Sequence, residues 1–90
     1  MDDQLLRDMA WMTYAMNQAV KELKDAMIDA GYRFDKVLTL NGGLFFCFEN
    51  MKNNQLHSIP KYKIAEAVTW DYFDLWLDDE IRSLTGRPRR

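Results

Sequence analysis

The chain has almost none of the residues that build metal centres or covalent cross-links. It holds one cysteine, Cys47, and one histidine, His57. A lone cysteine excludes an internal disulfide and fits a reducing compartment, and the two residues together fall short of the four ligands of a structural zinc site. No apolar run approaches the roughly 20 residues needed to span a bilayer. The start, Met1-Asp2-Asp3, lacks the basic and apolar regions of a signal peptide. A cytoplasmic location is the expectation. Phosphate-binding loops are missing too, since Asn41-Gly42-Gly43 fits neither dinucleotide nor P-loop spacing. The net charge of −2 excludes both a basic nucleic-acid glove and an acidic tail.

What is present suits one small packed domain. The 90 residues are 48% hydrophobic, too apolar for a disordered segment, and residues 1–86 read as a single α+β domain followed by a basic tail, 87–90. Residues 3–30 predict a long amphipathic helix. Leu5, Met9, Met12, Met16, Ala19, Leu23, Met27 and Ala30 recur at steps of three and four, widened by Leu6, Trp11, Val20, Ala26 and Ile28. Asp2 or Asp3 suits its first turn, and Gly31 stops it. The methionines read as core filler, with a plastic binding groove as the sharper alternative.

Tyr32 to Leu40 predicts a strand, Asn41-Gly42 a tight hairpin turn, and Leu44 to Glu49 the returning strand. That second strand is apolar on both faces, which places it centrally or under cover on both sides. Cys47 lies within it and reads as buried and inert, with no base placed beside it. Residues 55–59 predict a short edge strand ended by Pro60. His57, on that strand, reads as a solvated or hydrogen-bonded side chain.

From Lys61 the period becomes helical. Ile64, Ala67, Val68, Tyr72 and Leu75 form one apolar line, and Trp70, Phe73, Leu77, Ile81 and Leu84 a second. One helix with a broad apolar arc is expected, kinked near Thr69 where Asp71 recaps it, and ended by Gly86 and Pro88. The whole is then a two-layer α-β-β-β-α domain with both helices on one face of an antiparallel sheet.

The stretch 69–82 combines aromatics with five carboxylates and no base before Arg82. Trp70, Phe73, Leu77 and Ile81 read as its core half. Asp71, Asp74, Trp76, Asp78, Asp79 and Glu80 are the candidate site. The carboxylates form a row along a helix, not the opposed pair of a glycosidase, and EF-hand spacing for a cation is absent. No catalytic residue, metal or cofactor is therefore expected. The row reads either as an ordinary solvated face or as a negative, aromatic-edged patch that meets a basic protein surface.

At Trp76-Leu77-Asp78-Asp79-Glu80, followed by Arg82-Ser83, the chain resembles the small phage anti-CRISPR proteins of type I-F that imitate DNA. The similarity extends to length, the leading helix, a Gly31-Tyr32 exit, a small antiparallel sheet and an acidic final helix. The resemblance implies a non-enzymatic inhibitor in the host-cell cytoplasm that occupies the DNA-binding surface of a CRISPR surveillance complex. Asp78, Asp79 and Glu80 would then stand in for phosphates. Two features depart from that pattern: the modest net charge and the arginines of Arg87-Pro88-Arg89-Arg90. Two other readings stay open. One is a nucleic-acid-associated regulator using Lys61, Lys63 and the arginine tail. The other is a homodimeric interaction module.

Overall fold

The computed structural model describes residues 3–87, with side chains from Thr13 onward. The expectations for Asp2, for the side chains of Asp3, Leu5, Leu6, Met9, Trp11 and Met12, and for the tail beyond Arg87 lie outside the described residues. The element order is α1 (Asp3–Asp29), β1 (Tyr32–Leu40), β2 (Gly43–Asn50), β3 (Leu56–Pro60), α2 (Lys61–Thr69) and α3 (Phe73–Thr85). This is the expected α+β architecture with one change: the C-terminal helix is two helices. No described helix is long and apolar enough to cross a membrane.

The sheet is an antiparallel meander of order β1-β2-β3, so the apolar strand β2 is indeed central. Its register is fixed at the hairpin, where Leu40 pairs with Gly43 across the two-residue turn Asn41-Gly42. Both turn residues have positive φ, 50° and 78°, as a turn that follows the strand twist requires. Asp35 is the extra residue of a bulge between Phe34 and Lys36. The bulge preserves alternation on both sides of it, so Phe34 and Val37 face the same side as their partners Phe48 and Phe46.

That side carries the core. Phe48 and Ile59 from the sheet, Leu23 and Met27 from α1, Ile64 from α2, and Leu77 and Ile81 from α3 form one buried cluster. Phe34 packs edge-on against Phe48 at 5.7 Å between ring centres. The α1 stripe behaves as periodicity predicts from Ala19 to Met27, but Ile28, read as part of the widened stripe, is exposed. Helix α1 ends at Gly31 (φ 91°), whose N–H bonds to the Ile28 carbonyl, while its own carbonyl accepts from Met51. Cys47 points to the other side of the sheet, buried, with Sγ 3.5 Å from Ser58 Oγ.

The break between α2 and α3 has a clear physical reason. At about 100° per residue, an unbroken helix would carry Leu77 about 220° round from Ile64, on nearly the opposite side. Both residues are fully buried in the same core, so the chain must re-phase between them. It does so at Trp70-Asp71-Tyr72. The Tyr72 N–H bonds to the Ala67 carbonyl and the Asp71 N–H to the Val68 carbonyl, with Asp71 left-handed at φ 58°. Those two bonds and that dihedral are a Schellman stop. The two apolar lines expected on one broad helix are therefore the separate core faces of two helices. Three expectations are corrected by this turn. Asp71 closes α2 and does not recap α3, whose N-cap residue is Tyr72, without a side-chain cap bond. Trp70, assigned to the core half, is 73% exposed. Leu75, assigned to the first apolar line, is 70% exposed.

Candidate functional site

Helix α3 presents its residues in three sectors, set by a buried side that has to include Leu77 and Ile81. Placing Asp74 at zero and advancing about 100° per residue, Asp78 lies near 40°, Arg82 near 80°, Leu75 near 100° and Asp79 near 140°. Trp76 and Glu80 fall near 200° and 240°. Phe73, Leu84, Leu77 and Ile81 occupy the remaining arc, towards the core. The candidate residues of α3 thus divide into two groups. Asp74, Asp78 and Asp79 surround Leu75 on the outward face, while Trp76 and Glu80 lie on one flank of the core.

The outward face is open. Asp74, Leu75, Asp79 and Arg82 are exposed, and Asp78 is half-buried. Asp74 stands in the first turn and Arg82 in the last, each the sign that the helix dipole favours at its end. Asp71 is exposed in the turn just before the helix. Beside it runs a groove of about 350 Å³ lined by Ala15, Gln18 and Glu22 of α1 and by Tyr72, Asp74 and Leu75. An exposed leucine set among three aspartates is an apolar contact with a negative rim.

The flank is engaged within the fold. Glu80 Oε2 lies 3.4 Å from His57 Nε2 on β3, and the His57 ring meets Tyr32 edge-on at 6.4 Å. The hydrogen bond from His57 is the main cause that holds the Glu80 carboxyl below its ordinary range. The charges of His57 and Lys63 add to it, against the opposing effect of burial. Glu80 is therefore a clasp between α3 and the edge strand. Trp76 is half-buried and stacks at a tilt on Phe73, 5.7 Å between ring centres. Beyond them, partial burial and then the neighbouring Glu66 raise the Tyr72 phenol above its usual value.

Sequence reasoning singled out the carboxylates of the outward face but not the leucine at its centre. The signal was available in the spacing: Leu75 is two residues from Leu77, and on one helix the two cannot both face a core reached through Leu77 and Ile81. It also left His57 without a partner, because the pairing with Glu80 spans 23 positions. Among the described residues no group of three His, Cys, Asp or Glu side chains is arranged to hold a metal ion. The chain matches no protein-family model, no curated protein and no solved structure.

Proposed function

We propose that this protein is a small non-enzymatic inhibitor that docks the outward face of α3 on a basic surface of a partner protein. The observation that carries the reading is the 70% exposure of Leu75 between Asp74, Asp78 and Asp79. Partly apolar, negatively rimmed surfaces suit protein contacts in which one anchor supplies burial and the charges supply steering. The resemblance around Trp76–Arg82 supports a CRISPR surveillance complex of type I-F as the partner, with the protein acting in the host cytoplasm. Asp78 and Asp79 take the place of phosphates on a surface built for DNA. Glu80 contributes by holding α3 on the sheet.

The test is a gel-shift assay of target-DNA binding by the purified type I-F surveillance complex. Wild-type protein suppresses the shift. The triple charge reversal Asp74→Lys, Asp78→Lys, Asp79→Lys, checked for a native circular dichroism spectrum, leaves the shift intact. Suppression by both proteins would remove the acidic face from the mechanism. Suppression by neither would remove this partner.

A further inference from the structure

A second concave surface lies apart from the α3 face and carries the opposite charge. It is a groove of about 590 Å³ bounded by α1, by β2 and by the start of α2. Met16 and Val20 on α1 and Phe46 on β2 supply its apolar walls, and Lys21, Lys24 and Lys61 supply its charge. Three of the chain's six lysines thus line this groove, and no aspartate or glutamate is among the described lining residues. Lys21 and Lys24 are three residues apart, neighbours on one helix face, where like charges repel by a few tenths of a kcal/mol. Lys61 adds its charge from α2. Lys24 is held in place, its ammonium 4.2 Å from the centre of the Phe34 ring. The apolar floor continues along the sheet, since Val37, paired with Phe46, and Leu44 are exposed next to it.

We propose that this groove binds a small amphipathic anion, an acyl or aryl chain ending in a carboxylate or phosphate. Its volume lies within the range of small-molecule sites, about 300–1,000 Å³, and mostly apolar walls with a few convergent charged groups are the usual make-up of such sites. The tail lies against Met16, Val20 and Phe46, and the head relieves the repulsion among the lysines. This inference is independent of the α3 face, which shares none of these residues.

The test titrates the full chain by calorimetry, below micelle formation, with decanoate, decyl phosphate, decanol and decyltrimethylammonium. Methyl resonances of Met16 and Val20 are followed in parallel. One or both anions bind at least tenfold more tightly than the alcohol and the cation, and saturably shift both methyl groups. Which anion binds more tightly separates a carboxylate from a phosphate ligand. The variant Lys21→Ala/Lys61→Ala, at two exposed positions, weakens anion binding at least tenfold with unchanged circular dichroism. Equal affinity for decanol would overturn the proposal, as would anion binding that survives in the double variant. Binding of polyglutamate with no binding of either decyl anion would overturn it in favour of an acidic protein partner.

Discussion

Leu75 and Leu77 allow one substitution to be made twice, two residues apart on one helix, with opposite consequences. Leu77 is fully buried in the cluster formed with Leu23, Met27, Phe48, Ile59 and Ile64, and Leu75 is 70% exposed. Truncating a buried leucine to alanine removes its transfer free energy and leaves a cavity, together about 2–5 kcal/mol. A 90-residue domain has a total stability of about 5–13 kcal/mol. Leu77→Ala therefore takes a large share of it and lowers the melting temperature by at least about 8 °C, at about 4–8 °C per kcal/mol. Leu75→Ala removes little buried area and replaces leucine with the better helix former, so its effect stays within about 0.5 kcal/mol of zero. Urea unfolding followed by circular dichroism gives both values. On the proposed docking of the α3 face, the order reverses in the surveillance-complex assay. Leu75→Ala weakens inhibition, whereas folded Leu77→Ala, measured well below its melting temperature, retains it. A larger stability loss for Leu75→Ala than for Leu77→Ala would refute the re-phasing turn at Trp70–Tyr72, because an unbroken helix would bring Leu75 to within about 20° of Ile64 and leave Leu77 on nearly the opposite side.

Two further outcomes follow from the same geometry. Asp71 holds φ 58° with a side chain, a conformation that costs a non-glycine residue about 1–2 kcal/mol; Asp71→Gly relieves that and gives back part of it as chain entropy, so thermal unfolding shows a gain of about 0.5 kcal/mol, and Asp71→Val shows a loss. The Glu80 carboxyl is held low chiefly by the His57 hydrogen bond, so its contribution is complete above the unfolded carboxylate value of about 4.3 and disappears as pH falls through the lower folded value. The stability difference between wild type and Glu80→Gln, at most about 1 kcal/mol for a partly exposed pair, is therefore present at pH 5.5 and closes towards pH 3; a difference that widens on acidification would contradict the clasp.

The elements that were legible in the sequence are those whose signals are local. The Asn41-Gly42 turn fixes the register of β1 and β2 through two backbone dihedrals. Gly31 stops α1 where its periodic stripe ends. Pro60 ends β3 and, with φ −65° and extended ψ, leads directly into α2. What was not legible depends on where the core lies. Residues 61–85 contain two apolar lines, and only the demand that Ile64 and Leu77 reach the same core turns those lines into two helices. The local sequence marks a kink near Thr69, where α2 does end, but not a full stop: Asp71 is a poorer C′ residue than glycine, and a tryptophan beside it reads as core until the turn exposes it. The candidate site suffered from the same ambiguity. Its carboxylates were recognisable by type, but their division into an outward face and a clasped flank depends on the phase of α3. Glu80 likewise reads as a phosphate stand-in from its neighbours in sequence, because its partner His57 lies 23 positions away on β3.

An acidic row alone does not distinguish a binding face from a surface that only keeps the protein in solution, and neither does one exposed leucine. The two readings part in the kinetics. On a surface that only solvates, neither Asp79→Lys nor Leu75→Ala changes association with any partner. On a docking face the two act on different rates. The carboxylate lies on the rim, so reversing its charge lowers the association rate and flattens its dependence on salt. The leucine is buried only after contact, so its truncation raises the dissociation rate and leaves association nearly unchanged. Surface plasmon resonance with the immobilised surveillance complex, at two salt concentrations, resolves both. If the contact is centred on Leu75, Glu80→Gln changes the association rate less than Asp79→Lys does. The Glu80 carboxylate is half-buried against His57 of β3, 3.4 Å away, on the flank of α3 and not on the outward face. An effect of Glu80→Gln on association as large as that of Asp79→Lys would place the contact on the flank with Trp76 and not on the face around Leu75.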